Sequence, residues 1–432
     1  MNRVKSFCTF LLLALLAVPV FMVSIIAWIV SLFQPNPEKK SGRTVLLTGG
    51  KMTKCLQLAR MFKSRGDYVI VAETSLYRYC GTRFSRAVDQ FEVVQEIMGN
   101  GEEFINSLVS IATRHQVDLF VPVSSPKSSF YEALSRESMP SHTTVFQPDA
   151  AIVAQLDDKH QFIKLAQSYG LSVPESFFYT TVEGLLEHDF KGKKFILKKL
   201  DYDPVYRLDL RPLPHNDWED RVRNLPIGKD EPWILQEFIE GREICTHTTT
   251  VNGAMNMYVC CDSSPFQVNY KMLDLPSVKD WVTTFLKNIK VTGQLSFDFI
   301  IDRDNRVLPI ECNPRTHSAI TLFHNQPGAI QAYDTQDNCP HQFTPHPNSG
   351  HTYWLYHELY RLVTARSFNR FRFIAGRMLS GQEAIFRLDD PWVFFCHNHV
   401  GIPYQLLVAI WKNWNWTRID FNIGKLVIPG GD

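Results

Sequence analysis

Between Lys5 and Glu38 the chain carries no Asp, Glu, Lys or Arg, and residues 7–33 are almost wholly apolar. About 20 apolar residues in helical conformation suffice to cross a bilayer core, and this run exceeds that length. A cleaved secretory signal has a shorter apolar core, roughly 7–15 residues, that ends in small side chains. Here Trp28, Ile29 and Leu32 continue to the edge. The expectation is a retained transmembrane helix, with a signal or transit sequence and a buried soluble helix as the other readings. Its orientation is weakly specified, since Arg3 and Lys5 precede the run while Lys39, Lys40 and Arg43 follow it.

The remainder is too long for one hydrophobic core, because a chain of 432 residues ordinarily splits into two or three globular pieces. With 45 Lys+Arg against 44 Asp+Glu the net charge is +1, which provides no global field for gripping nucleic acid. The nine cysteines are odd in number and show neither a CxxC nor a zinc-finger spacing. They read as reduced thiols of a cytosol-like compartment.

Residues 34–43 (QPNPEKKSGR) mix proline, glycine and charge and read as a linker, so 1–43 forms the anchor and its tether. RTVLLTGG then sets an apolar β-branched run before two glycines, and KMTKCLQLARMFKSRG repeats apolar residues at helical spacing. With YVIVAE and VDLFVPV as further strands, 44–150 reads as a Rossmann-like parallel sheet. Gly49-Gly50 is short of a dinucleotide fingerprint and serves either as a tight turn or to hold an anionic substrate at the helix start. Residues 151–330 read as an α+β domain and 331–432 as a C-terminal extension. Within that extension LLVAIWKNWNW reads as a packed or membrane-surface helix, because Lys412 and its short length disfavour a second span.

The strongest chemical signal is GQLSFDFIIDRDNRVLPIECNPRTHS at 293–318, two strands joined by a polar turn. Strand alternation puts Ser296, Asp298 and Ile300 on one face, and Glu311 and Asn313 on one face of the returning strand. Antiparallel pairing can therefore gather Asp298, Glu311 and Asn313 into a set of hard oxygen ligands suited to Mg²⁺. Arg315 follows at the same end, where a guanidinium can grip a phosphate oxygen. Unpaired carboxylates in apolar strands are costly, which argues against a merely solvated hairpin. Upstream, KKFILKKL is a strand in which Lys198 and Lys199 point to opposite faces.

Lys159 in LDDKHQF, Lys198 in FILKK, the QEFIEGREI segment, and DF followed by IECNPR occur in an order that resembles the ATP-grasp superfamily. The resemblance covers residues 157–317 and implies an α/β fold of the α+β ATP-grasp kind, behind a Rossmann-like pre-ATP-grasp domain. It also implies ATP and Mg²⁺ as cofactors, with Mn²⁺ as a substitute. In that pattern Lys159 and Lys198 bind phosphates, Gln236, Glu237 and Ile239 border adenine, and Glu243 reaches the ribose. Asp298, Glu311 and Asn313 hold the metal, and Arg315, with Lys198, acts on the transferring phosphoryl group. Family members often carry a glycine-rich lid after the second lysine, whereas this chain has LDYDPVYRLDLRPL, so Arg207 is the candidate phosphate clamp there. LTGGKMTKCLQLAR, RFSRAVDQF, VPVSSP, CTHTTT, SSPFQVNY and IDFNIGKLV look more narrowly like the ATP-grasp ligases of mycosporine-like amino acid biosynthesis. That resemblance implies 4-deoxygadusol and glycine as substrates, mycosporine-glycine as product, His317 and Ser318 as acceptor contacts, and a catalytic body on the cytoplasmic side of the membrane. A carboxylate–amine ligase working through an acyl phosphate and a catalytically silent nucleotide-binding protein are the alternatives. Oligomeric state is left open, a homo-oligomer included.

Overall fold

The structure, a computed structural model, describes residues 2–33, 42–123, 126–200, 211–263, 269–335, 339 and 341–428. Most of the linker and the loop carrying Arg207 lie outside the described residues.

The apolar run forms helix α1 (Asn2–Ser31), long and apolar enough to cross a membrane. It is followed by β1 (Thr44–Leu47), α2 (Thr53–Arg65), β2 (Tyr68–Thr74), β3 (Gln90–Val94), α3 (Glu102–Arg114), β4 (Leu119–Val121), α4 (Pro126–Leu134) and β5 (Thr144–Val145). These strands build a five-stranded parallel sheet in the order β3-β2-β1-β4-β5. Both faces are covered, which is why Val45, Leu46 and Leu47 of β1 are all fully buried. The Gly49-Gly50 turn has a packing reason. Gly49 sits at φ 72°, and a Cβ on Gly50 would lie 2.8 Å from Val71 Cγ1 of β2.

Helices α5 (Ala150–Asp157) and α6 (Lys159–Ser168) lead to a small antiparallel sheet of β6 (Ser176–Tyr179), β7 (Phe195–Lys199) and β8 (Trp233–Glu237), in the order β6-β8-β7. Short helices α7 (Val182–Leu186) and α8 (Trp218–Arg223) cover its apolar face, where Phe195, Leu197, Trp233 and Leu235 are buried. The second sheet follows from β9 (Gly241–Val251), β10 (Ala254–Asp262), β12 (Gly293–Asp302) and β13 (Val307–Asn313), ordered β10-β9-β12-β13 and antiparallel throughout. Between them run β11 (Asn269–Tyr270) and α9 (Pro276–Ile289). Leu295, Phe297 and Phe299 pack beneath this sheet onto α6 and α9, with Phe297 5.3 Å from Phe285 and Phe299 5.0 Å from Trp281, ring to ring. That packing leaves the alternate residues of β12 on the opposite face.

The C-terminal elements are β14 (Thr352–Tyr353), α10 (Leu355–Val363), α11 (Phe368–Ser380), β15 (Gln382–Glu383), α12 (Trp392–Cys396), α13 (Ile402–Lys412), β16 (Arg418–Asp420) and β17 (Lys425–Val427). They are not a separate lobe, since Phe343, Trp354, Ile385 and Phe394 share one core with β1, α2 and β9. Buried Arg60 of α2 binds the Asp390 carboxylate at 3.0 Å and the Ile385 carbonyl at 2.8 Å, tying the extension to the parallel sheet. Residues 392–412 form one continuous helical segment, mostly buried against the body, in keeping with the packed helix expected there.

Candidate active site

β12 and β13 pair with Ser296 opposite Asn313 and Asp298 opposite Glu311. Just beyond, the register slips so that Phe299 faces Pro309. A bulge on the edge strand accommodates a proline that lacks an N–H, and it bends the hairpin at the carboxylate pair. Burial and the adjacent Glu311 push the Asp298 carboxyl well above its ordinary range. Burial also acts to raise Glu311, but Lys159, Lys198, the Asn313 amide and Arg315 outweigh it and hold this carboxyl down at about 2. The pair therefore resists carrying two negative charges, and Asp298 is the carboxyl that burial and its neighbour push up.

Three cations from different elements converge on that charge. Lys159 opens α6, whose start is fixed by Asp158 accepting the N–H groups of His160 and Gln161 at 2.9 and 2.8 Å; its Nζ lies 3.4 Å from Glu311 Oε2. Lys198 reaches across from β7, donating to Gln236 Oε1 of β8 at 2.8 Å, and burial lowers its ammonium to about 8. Arg315 donates to Asp157 Oδ1 at 2.8 Å and to the Asn313 side-chain oxygen, while Asn313 Nδ2 donates to Glu311 Oε1 at 3.3 Å. Glu243, on β9 opposite Ile300, is exposed and acts on both Asp298 and Lys198 through its charge. Ile239 is half-buried in the segment joining the two sheets. Glu237 turns to the other face of β8, where it accepts the Glu175 N–H at 3.2 Å.

Next to this cluster lies a second group of buried polar side chains, from α2, β9 and the segment after β13. Lys54, from the second turn-facing position of α2, donates to the Thr316 carbonyl at 2.6 Å; burial, then Arg315, lowers its ammonium to about 7. His247 on β9 accepts the His317 N–H at Nδ1, 3.3 Å, and His317 accepts the Ala319 N–H at its own Nδ1, 3.2 Å. Both rings are kept neutral by burial, with His317 lowered to about 3. A neutral imidazole that accepts at Nδ1 carries its proton on Nε2. Among the described residues neither Nε2 has a partner, which leaves two buried N–H donors without acceptors. Ser318 is buried at the far side, its Oγ accepting from Asn422 Nδ2 at 3.0 Å.

The hairpin set, both lysines, Gln236, Glu243 and Arg315 are thus brought together, and His317 and Ser318 belong to the adjoining buried polar group. Arg207 lies outside the described residues. Sequence reasoning misses Asp157, His247 and Lys54. Only the helix start after the glycine pair hints at the last of these.

No protein-family model matches the chain, and a search of curated proteins finds no relative. Solved structures do resemble it. N5-carboxyaminoimidazole synthetase from Staphylococcus aureus aligns with TM-score 0.53 and 16% identity over 70% of this chain and 80% of its own. The biotin carboxylase complex with β,γ-ATP from Campylobacter jejuni aligns with TM-score 0.55 and 15% identity, over 71% and 74%. The biotin carboxylase domain of Hydrogenobacter thermophilus 2-oxoglutarate carboxylase, solved with MgADP and bicarbonate, gives TM-score 0.55 and 13% identity, over 69% and 71%. The chain has the ATP-grasp fold. In this chain Lys198 and Gln236 of the β7–β8 pair lie toward Asp298, Glu311 and Asn313 of the β12–β13 hairpin.

Proposed function

We propose that the protein is an ATP-dependent ligase that phosphorylates an oxygen of a small acceptor and lets an amine displace the phosphate. The observation that carries this reading is the convergence of Lys159, Lys198 and Arg315 on the Glu311 carboxylate, with Asp298 directly opposite it across the hairpin. Two carboxyls paired this closely, one pushing the other up, fit a site made for a divalent cation, whose charge would ease the ionisation of both. Asp298, Glu311 and Asn313 would hold Mg²⁺, which would neutralise charge on the nucleotide phosphates.

The chain's own groups supply the rest. Lys159 and Lys198 meet the phosphate oxygens, with Gln236 fixing the Lys198 ammonium. Arg315 is locked between Asp157 and Asn313, so its guanidinium faces developing charge without reorganising. Gln236, Glu237 and Ile239 border the base and Glu243 the ribose, with Glu237 contributing its backbone. In the adjoining polar group the Nε2–H groups of His247 and His317, with Lys54, suit an acceptor whose oxygens carry negative charge.

The finer reading rests on the motif resemblance. The acceptor is 4-deoxygadusol, a vinylogous acid whose enol oxygen leaves poorly until phosphorylated. Transfer of the γ-phosphoryl group to that oxygen gives an enol phosphate and ADP; attack by the glycine amine then expels phosphate and forms the enaminone of mycosporine-glycine. Purified protein with ATP, Mg²⁺ and both substrates should release ADP and generate a near-ultraviolet chromophore. ADP release that ignores 4-deoxygadusol but follows a carboxylate acceptor would move the assignment to the acyl-phosphate reaction.

A further inference from the structure

Helix α1 touches the rest of the molecule along its whole length. Lys5 Nζ donates to the carbonyls of Trp416 and Thr417 at 2.7 and 3.0 Å, and Trp416 Nε1 donates to Ser6 Oγ at 2.9 Å. His399 Nδ1 meets the Leu13 carbonyl at 3.0 Å, the Phe21 ring lies 5.7 Å from Trp392 and 5.4 Å from Phe395, and Arg86 donates to Ser31 Oγ at 3.3 Å. The helix runs antiparallel to α12–α13. Its docked stripe carries Ser6, Leu13, Ser24, Ala27 and Ser31, mostly small residues that let the helices approach closely.

From Lys5 to Ser31 is about 39 Å of helix, longer than the roughly 30 Å hydrocarbon core. A perpendicular span would therefore draw α12, α13 and the β16–β17 hairpin, with its charged Arg418, Asp420 and Lys425, through the bilayer, where charged groups are costly. The opposite face of α1 is apolar and open: Leu15 is 75% exposed, Val18 and Ile26 64% each, with Leu11, Met22 and Ile29 in line. A contiguous exposed apolar face of this kind marks an interaction site and is not scattered surface hydrophobicity. The other ring nitrogen of His399 binds the Tyr356 hydroxyl at 2.7 Å, so α10 begins one side chain away from α1. α10 leads into α11, whose exposed Phe368, Phe371 and Phe373 alternate with exposed Arg370 and Arg372, a composition suited to anionic headgroup depth.

We infer that α1 is an in-plane membrane helix: it stays docked along the body and sinks its outer face into one leaflet of an anionic bilayer, so that the protein lies on the membrane and does not cross it. The full-length protein, reconstituted on sealed vesicles of phosphatidylcholine and phosphatidylglycerol, tests this with a single nitroxide placed in turn at Leu11, Leu15, Val18, Met22, Ile26 and Ile29. All six should report similar depths, roughly 5–10 Å below the headgroups. An N-terminal tag and the body should both be cut by external protease. A depth profile deepest at Val18 and shallow at both ends, with the tag protected, would overturn the inference. So would failure to bind vesicles together with a dimer in solution that shields these positions, which would make a second copy the occupant. Leu15→Glu combined with Ile26→Glu should lower vesicle binding about tenfold or more at an unchanged unfolding midpoint; undiminished binding would count against it.

Discussion

Replacing Asp298 by Asn should stabilise the protein while disabling it. In the folded chain burial and Glu311 push the Asp298 carboxyl well up, whereas in the unfolded chain it ionises near pH 3.9. The folded state then binds more protons than the unfolded one, and stability falls as pH rises by about 1.4 kcal/mol per unit, until the folded carboxyl itself ionises. Glu311, held at about 2 when folded and near 4.3 when unfolded, is ionised in both states above pH 5 and adds no slope there. Over the range in which only the unfolded carboxyl ionises, the wild type should lose stability relative to Asp298→Asn, since the amide is nearly isosteric and can donate to Glu311. Thermal unfolding of both proteins without metal or nucleotide, repeated across that range, should show a gap in midpoint that opens to several degrees in favour of the variant. At pH 7 added Mg²⁺ and ATP should raise the wild-type midpoint and leave the variant nearly unmoved. A gap that is constant with pH, or a variant less stable than wild type at pH 7, would refute the upward push on the Asp298 carboxyl.

Because burial holds Lys198 at about 8, the KM for ATP should climb as pH passes through that value, and Lys198→Met should raise it about tenfold or more at pH 7 with a flat pH profile; steady-state kinetics read both effects. Arg315→Lys loses the planar bridge between Asp157 and Asn313, so kcat should fall about 10–100-fold with the KM for ATP little changed, as single-turnover measurements would show. His247→Ala and His317→Ala should each raise the acceptor KM about tenfold while leaving ATP binding intact, one hydrogen bond being lost in each. Comparable turnover and KM after either change would remove that histidine from the site.

Much of the metal-side hairpin is legible in the sequence because strand alternation is a local property: Asp298 and Glu311 face each other as the period of two requires. The parallel sheet is legible for the same reason in its buried strands β1, β2 and β4. The two flanking strands carry weaker signals, since β5 is only two residues long and β3 is mostly half-buried, with its polar and apolar residues less segregated. What escapes is set by contacts distant in sequence. Asp157 matters because Arg315 returns to it from 158 positions away, and no spacing rule encodes that meeting. His247 sits in CTHTTT, where a buried imidazole and a satisfied polar strand read alike until the neighbouring loop is in place. Likewise the apolar run announces a membrane by composition, but only the partners of Lys5, Leu13 and Ser31 reveal how the helix lies.

Asn422, in the turn between β16 and β17, donates to the Ser318 hydroxyl, while its carbonyl accepts both the N–H and the hydroxyl of Thr53 at the start of α2, at 3.0 and 2.8 Å. Trp354 donates to that same Thr53 oxygen at 3.0 Å. The wall around His317 and Lys54 is therefore pinned by a hairpin more than a hundred residues downstream. A chain cut short before this hairpin would keep the β12–β13 carboxyls and the lysines beside them yet lose the contacts that fix Ser318 and the start of α2, so substitutions in the hairpin offer a way to reshape that wall from a distance.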